Sequence, residues 1–218
     1  MLEDADLDKA VATAVQARMI NAGQSCIAAK RFIVVEKQLK AFETQMTAKM
    51  EALKVGDPLE DATDVGPLAR EDLVREIERQ VQASISAGAK LLTGGKRLNK
   101  EGAYYLPTVL SGVQKGMAVF TEETFGPVAT IIPVKDEAEA IAVANESEFG
   151  LGASLWTQDI EKGKALAREI QSGSVFINGM VKSDPRSPFG GIKKSAYGRE
   201  LSHYGIKEFV NIKTVWIG

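Results

Sequence analysis

The feature that most constrains the fold of this chain is the alternation of helix-periodic segments with short runs of β-branched residues. Helices are expected over Asp4–Met19, about Gln38–Leu53, about Glu71–Ala87, Glu137–Asn145 and Ile160–Ile170. Strands are expected over Arg31–Glu36, Ala89–Thr93, Val128–Val134, Gly152–Trp156 and Ser174–Ile177. Because helical connections between parallel strands cover the faces of their sheet, this order predicts an α/β fold: a mostly parallel sheet with helices on both faces.

The end of the chain follows a different pattern. A short helix is expected near Glu200–Tyr204. Within Glu208–Ile217, one set of alternate positions contains Val210, Ile212 and Trp216, and the positions between them contain Asn211, Lys213 and Val215. This alternation predicts a half-exposed strand. A terminal strand with an unpaired edge invites pairing with another chain, so we expect a dimer formed through this strand; the alternative is a last strand of the same sheet.

Composition excludes several classes of partner. Lys and Arg number 27 against 29 Asp and Glu in 218 residues, so no electrostatic argument favours nucleic acid or an anionic membrane. The chain shows neither an apolar stretch of bilayer length nor a signal-peptide pattern at its start. The one cysteine and one histidine cannot form an internal disulfide or a Cys/His zinc cage, and we expect no metal. These features predict a cytoplasmic protein.

The one cysteine, Cys26, lies at the junction between the first helix and the first strand. Its segment Asn21–Lys30 contains small residues that allow close backbone approach. A thiol becomes a good nucleophile where backbone N–H groups lower its pKa, so Cys26 is a candidate nucleophile. The alternative is a small buried side chain with no chemical role.

Three loops contain further candidate residues. Glu123, in the loop Thr121–Val128 that enters a strand, could accept hydrogen bonds from a diol such as a ribose, or it could be a solvated acid in a turn. The glycines of Ser187–Ser195 permit tight turns beside a ligand, although ordinary turns use them equally. The loop Lys182–Arg186 combines a hydroxyl with two cations that could bind an acidic group, or it could be a solvated loop.

Two other kinds of site find little support. His203, the only histidine, would have to act as general base to Cys26 in a Cys–His hydrolase, and a lone histidine on a terminal helix is more often a surface residue. Neither of the glycine-rich phosphate-binding patterns occurs in the chain. The sequence therefore offers no cradle for nucleotide phosphates.

Three of these segments together resemble the aldehyde dehydrogenase superfamily. Gly23–Cys26 resembles its nucleophile motif, Glu122–Val128 its cofactor-ribose motif, and Pro188–Ser195 with Tyr197–Leu201 its late loop and helix. Their order and spacing match over essentially all of the chain. One departure is Ala196, where the family usually has glycine. The loop around Ser183 looks most like that of bacterial succinate-semialdehyde dehydrogenases.

The resemblance implies a mechanism and a role for each matching residue. Cys26 would attack an aldehyde to give a thiohemiacetal, hydride would pass to NAD or NADP, and the thioester would be hydrolysed; the Cys26 N–H would bind the oxyanion. Glu123 would hold the nicotinamide ribose and Phe125 would pack near the nicotinamide. Ser183 aligns with a position that contacts the succinyl carboxylate, and Arg186 is a second candidate.

The resemblance also implies that this chain is one half of such an enzyme. Met1–Leu7 resembles the stretch that follows a glutamate-containing motif of the family, so the cofactor-binding domain and the general base would be absent. Residues 1–197 would form the catalytic domain, and residues 198–218 the C-terminal helix and oligomerisation strand. We therefore expect no bound cofactor and little or no turnover from this chain alone. The competing hypotheses are a non-catalytic dimerising module and the Cys–His hydrolase.

Overall fold

Helices and strands alternate along the chain in the computed structural model, which describes residues 1–218. The helices are α1 (Leu7–Met19), α2 (Glu36–Glu51), α3 (Glu71–Ser86), α4 (Ala118–Thr121), α5 (Glu137–Asn145), α6 (Ile160–Ala167) and α7 (Ser202–Lys207). The strands are β1 (Arg31–Val35), β2 (Lys90–Thr93), β3 (Thr108–Ser111), β4 (Val128–Val134), β5 (Phe149–Gly150), β6 (Gly152–Leu155), β7 (Ser174–Ile177) and β8 (Ile192–Lys193). None of the helices combines the length and apolar composition that crossing a membrane requires.

The main sheet has four strands in the order β1-β4-β3-β2. β4 pairs in parallel with both β1 and β3, and β2 pairs antiparallel with β3 at one edge. Two smaller sheets lie outside it: the parallel pair β6-β7 and the antiparallel pair β5-β8. The predicted mostly parallel sheet is therefore confirmed.

Both faces of the main sheet are covered by helices. Successive residues of a strand point to opposite faces, and in β4 Ala129 and Ile131 pack in the cluster that contains α1 and α2 side chains. Val128 and Ile132 pack in the opposite cluster, which contains α3 side chains. This two-sided burial explains why β4 is an almost continuous apolar run.

Aspartate side chains set the start of three helices. Asp6, Asp136 and Asp159 each accept a hydrogen bond from the backbone N–H three residues later, which satisfies a donor that the first turn leaves free. The first helix consequently begins at Leu7 rather than at the predicted Asp4. Asp4 instead accepts hydrogen bonds from the Thr157 hydroxyl and from two backbone N–H groups after it, which ties the start of the chain to the end of β6.

The predicted strand at Glu208–Ile217 is not present. The last helix, α7, extends to Lys207, and the residues after it pair with no strand of this chain. Ile212 and Trp216 are 87% and 88% exposed, so the apolar alternation meets no surface of the same chain. A strand needs a neighbour for its main-chain hydrogen bonds, and the pattern alone does not provide one. The alternative, a last strand of the same sheet, is likewise wrong.

Candidate active site

Cys26 lies on a loop that glycine and left-handed residues shape after α1. Asn21, Ala22 and Gly23 all have positive φ, so the chain turns sharply before it reaches the thiol. The Ala28 N–H donates to the Ser25 carbonyl at 3.0 Å and closes a turn around Cys26. The side chain of Cys26 is exposed, which excludes the alternative of a small buried residue.

The Cys26 loop packs directly on the loop that contains Glu123. The Gly126 N–H donates to the Gly23 carbonyl at 3.1 Å. A Cβ at Gly23 would lie 2.0 Å from the Gly126 carbonyl oxygen, a distance at which real atoms overlap. Glycine is therefore required at position 23 both for its φ of +77° and for this close approach.

A buried arginine also binds the Gly23 carbonyl that accepts the hydrogen bond from Gly126. The Arg18 Nη2 donates to the Gly23 carbonyl at 2.7 Å, and the side chain is 1% exposed. No carboxylate pairs with it, and burial lowers the pKa of the Arg18 guanidinium to about 10. A buried cation with few partners is expensive, which is consistent with a specific structural task at this turn.

Lys30 connects the two loops directly. Its Nζ donates to the carbonyls of Phe120 and Glu122, just before Glu123. Burial lowers the pKa of the Lys30 amine to about 8, and the neighbouring Arg31 guanidinium also lowers it. The amine thus fixes main-chain atoms of the Glu123 loop against the segment that follows Cys26.

Helix α3 holds the other side of the Glu123 loop. The Gln80 Nε2 donates to the Glu123 carbonyl at 3.0 Å, and Arg79 forms an ion pair with the Glu122 carboxylate. The Glu123 side chain itself is exposed and makes no ion pair. The backbone of this loop is therefore fixed on two sides, while the Glu123 carboxylate is free to meet a ligand.

Cys26, Glu123 and Phe125 line one cleft of about 420 Å³. The cleft lies beside β1 and β6, and apolar residues that include Met180 and Val181 form much of its wall. The fold thus brings together a thiol, a carboxylate and an aromatic ring that are separated by about a hundred residues in sequence. The apolar wall could bind the hydrocarbon part of a small ligand, and the Cys26 thiol is the nucleophile beside it.

Ser183 and Arg186 lie outside this cleft. Both are exposed, and Arg186 makes two hydrogen bonds to the carboxylate of Asp184, at 2.9 and 2.6 Å. These bonds hold the pKa of the Asp184 carboxyl well below its usual range. In this chain the guanidinium is engaged within its own loop, while Val181, directly before the loop, lines the cleft that contains Cys26.

His203 is also outside the cleft. It lies on α7, exposed, with its ring 4.1 Å from the ring of Tyr204. A general base must reach the thiol within hydrogen-bond distance, and His203 does not line the cleft that contains Cys26. The geometry gives no support to the Cys–His hydrolase.

The supporting residues Arg18, Gln80 and Lys30 were missed by the sequence analysis. Lys30 gave a signal, because a cation directly before an apolar strand suggests burial with a specific partner. Arg18 and Gln80 gave none, since each looks like an ordinary polar position on a helix. Their partners are carbonyl groups, which no side-chain pattern in a sequence can identify.

Comparison with known proteins agrees with this arrangement. The model of the aldehyde dehydrogenase family matches residues 1–215. A probable succinate-semialdehyde dehydrogenase (NADP+) from Synechocystis is 54% identical over 217 residues, which cover 100% of this chain and 48% of that protein. Succinate-semialdehyde dehydrogenase (NADP+) 1 from Mycobacterium tuberculosis is 51% identical over 217 residues, with the same coverage of 100% and 48%. The chain thus spans about half the length of these relatives.

Solved structures show the same fold. Succinic semialdehyde dehydrogenase from Streptococcus pyogenes, solved in complex with NADP+, superposes with a TM-score of 0.95 at 39% identity, over 99% of this chain and 48% of that one. Succinate-semialdehyde dehydrogenase from Burkholderia pseudomallei gives a TM-score of 0.94 at 41% identity, over 98% and 44%. With its motifs, its fold and the family model in agreement over nearly every residue, the chain belongs to the aldehyde dehydrogenase family.

Proposed function

We propose that this chain is the nucleophile-bearing catalytic part of an NAD(P)-dependent aldehyde dehydrogenase whose substrate is succinic semialdehyde. The observation that carries the proposal is the shared cleft of Cys26, Glu123 and Phe125. The names of the relatives favour this substrate and favour NADP over NAD. Residues 1–197 are the catalytic domain in this proposal, and residues 198–218 are the oligomerisation element.

Cys26 performs the covalent chemistry. Its thiolate adds to the aldehyde carbon, a C–S bond forms, and the carbonyl oxygen takes the negative charge as the thiohemiacetal. The backbone N–H of Cys26 donates to that oxygen. After hydride loss the acyl group is held on the sulfur as a thioester, and water then breaks the C–S bond and releases the carboxylate with the thiol.

The residues present fit the nicotinamide end of a dinucleotide. Glu123 offers an unpaired carboxylate to ribose hydroxyls, and Phe125 offers an aromatic face, both on the wall that contains Cys26. A bound NADP supplies the acceptor for the hydride. Lys30 and Gln80 hold the loop backbone so that the Glu123 carboxylate keeps its position while a ligand binds.

Ser183 and Arg186 are the proposed contacts for the distal carboxylate of the substrate. Neither side chain lines the cleft, whereas Met180 and Val181, directly before their loop, do. To bind the substrate, the Arg186 guanidinium would release the Asp184 carboxylate and pair with the substrate carboxylate instead, so that one charge-assisted hydrogen-bonded pair replaces another.

The covalent step can be tested on this chain even if it has no turnover. We expect succinic semialdehyde to slow the alkylation of Cys26 by iodoacetamide more strongly than it slows the alkylation of an exposed cysteine elsewhere. A matched control is the double variant Cys26→Ser with Ser187→Cys, which moves the thiol to an exposed loop. Succinate, which lacks the aldehyde, should protect neither. Equal protection of both thiols would refute a specific aldehyde site at Cys26.

The turnover of the isolated chain is measured by the absorbance of reduced nicotinamide with succinic semialdehyde and NADP or NAD. We expect little or no signal, because the chain contains no phosphate-binding motif and spans about half of its relatives. Clear turnover that the Cys26→Ser variant abolishes would show that the cofactor site is more self-contained than we propose.

A second candidate function is that of a non-catalytic dimerising module. The observation that favours it is the exposure of Phe209, Ile212 and Trp216 in the last residues of the chain. An apolar row of this kind is typical of a surface that a partner covers. Both functions can coexist, since the two surfaces do not share residues.

A further inference from the structure

The turn that precedes Cys26 has an unfavourable backbone conformation. Asn21 and Ala22 have φ of +50° and +54°, and Gly23 follows with φ of +77°. Glycine adopts the left-handed region at little cost, and other residues usually visit it singly. A run of three such residues persists only where neighbouring groups hold it in place. The groups that hold this turn therefore determine where the thiol lies, three residues further along the chain.

Gln24 makes most of the hydrogen bonds that close the turn. Its N–H and its side-chain Nε2 both donate to the Asn21 carbonyl, at 3.0 and 3.1 Å. In return, the Asn21 Nδ2 donates to the Gln24 carbonyl at 3.3 Å. Each side-chain amide thus bonds to the main chain of the other residue, and the turn is closed from both ends.

The side-chain oxygen of Gln24 anchors the turn to a distant segment. The Ala69 N–H donates to the Gln24 Oε1 at 2.8 Å. Leu68, beside Ala69, is 4% exposed and packs in the core cluster that contains α3 side chains, so this donor is fixed. Helix α3, which begins two residues after Ala69, also holds the Glu123 carbonyl through Gln80. The two loops of the cleft therefore have a common support.

The same turn sets the direction of the main chain at Cys26. The Ser25 carbonyl accepts a hydrogen bond from the Ala28 N–H at 3.0 Å. Because a trans peptide directs its C=O and N–H to opposite sides, the Cys26 N–H points away from this bond, and it donates to no acceptor of the chain. This N–H is the donor to the oxyanion in the proposed mechanism. A shift of the turn would therefore move the thiol and its oxyanion donor together.

We infer that Gln24 is a positioning residue for Cys26: its bonds to Asn21 and Ala69 hold the thiol and its N–H in the orientation that adds to an aldehyde. The inference rests on the proposed function, because it concerns the same nucleophile. The position needs a side chain that donates and accepts at once. Methionine has a similar length and does neither, whereas glutamate keeps the acceptor for the Ala69 N–H and loses the donor to the Asn21 carbonyl.

The first test measures the concentration of succinic semialdehyde that halves the rate at which iodoacetamide alkylates Cys26. We expect this concentration to rise about tenfold in Gln24→Met, as for a lost hydrogen bond to a charged group, and about threefold in Gln24→Glu. The matched control is Gln82→Met. Gln82 lies on α3, donates to the Gly95 carbonyl at 3.4 Å and does not line the cleft, so this variant should leave the concentration unchanged.

Urea denaturation of the same variants distinguishes positioning from a general loss of stability. Cys26 is exposed in the folded chain, so its alkylation does not require unfolding, and lower stability alone does not change the protection by the aldehyde. A lower free energy of unfolding in Gln24→Met with an unchanged half-protecting concentration would overturn the inference, because Gln24 would then be a structural residue only. Equal concentrations in Gln24→Met and Gln82→Met would overturn it as well.

Hydrogen exchange of the Ala28 amide separates this inference from the proposed function. The amide donates to the Ser25 carbonyl and reports the turn around Cys26 without any aldehyde. We expect about tenfold faster exchange in Gln24→Met and no change in Gln82→Met. If succinic semialdehyde fails to protect Cys26 even in the parent chain, the proposed function is wrong, and faster Ala28 exchange in Gln24→Met would still support Gln24 as the residue that holds Cys26. Unchanged Ala28 exchange in Gln24→Met would overturn the inference in either case.

Discussion

The sequence favours a strand both in β4 of the main sheet and in the segment Glu208–Gly218, but the surroundings of the two stretches differ. Val128, Ala129 and Ile131 of β4 are completely buried, whereas Ile212 and Trp216 of the terminal segment are almost completely exposed. Both stretches are rich in residues that favour strands. β4 has a strand on each side and helices above and below, while the terminal segment has neither.

The difference shows what an apolar strand pattern specifies. It determines which side chains can be buried together on a face, and it leaves open which main chain supplies the neighbouring edge. For β4 the neighbours β1 and β3 come from the same chain. The terminal segment has no such neighbour, so its pattern predicts a partner rather than a place in this sheet.

The same substitution in the two regions gives the largest contrast. Ile131→Ala removes a fully buried side chain and should lower the free energy of unfolding by about 2–5 kcal/mol, through lost burial and the cavity left behind. Ile212→Ala removes an exposed side chain, and the change should be about 0.5 kcal/mol or less. Urea denaturation of the two variants measures both values. A comparable loss at Ile212 would show that the terminal segment packs on this chain in solution.

A pair of glycine variants tests whether the Cys26 loop is as tightly packed as the main sheet. Gly23→Ala places a Cβ 2.0 Å from the Gly126 oxygen, whereas Gly116→Ala meets nothing within 4 Å; both positions have positive φ. Gly116→Ala should cost about 1–2 kcal/mol for the left-handed backbone alone. Gly23→Ala should cost clearly more and should also change the alkylation rate of Cys26. Equal stabilities and an unchanged rate would mean that the two loops do not depend on their contact.

A change of pH tests the burial of the Met1 amine, which donates to the Ile33 carbonyl of β1. Burial lowers the pKa of the Met1 amine to about 5 from 8.0 in the unfolded chain. Between these values the unfolded state binds more protons, so stability should rise as the pH increases from about 5 to 8. Because a chain end can fray, we expect an effect of about 1 kcal/mol. The N-acetylated chain is the control, and the stability difference between the two forms should shrink towards pH 8. A constant difference would contradict the burial of this amine.

The smallest effect on stability is expected from Ile212→Lys, which should nevertheless change assembly. If the terminal segment pairs with a second copy through its apolar face, a charge at Ile212 should convert dimer to monomer in light scattering while the unfolding midpoint barely moves. Lys213→Glu, on the opposite face of the segment, should leave the mass unchanged. A dimer that survives Ile212→Lys would remove this segment from the interface.

Much of the candidate site was predictable, because its residues lie in short local patterns. Cys26 and Glu123 were chosen from their segments and Phe125 from the family resemblance, and the fold places all three on one cleft. Ser183 and Arg186 were chosen from their loop and from the resemblance, and their side chains do not line this cleft, although Val181 beside them does. Their loop bonds to itself through Asp184, an ion pair of neighbours that a sequence does not distinguish from a binding loop.

The sequence by itself indicated most of the helices, five of the eight strands and the segment of each reactive side chain, but not α4 or β3, the strand between β4 and β2. These are local properties, set by backbone preference and by the periods of 3.6 and 2 residues. The tertiary structure decided which strand edges pair and which carbonyls accept hydrogen bonds from Lys30 and Arg18. Those outcomes depend on main-chain hydrogen bonds between segments far apart in the chain, and every residue type offers the same main-chain groups.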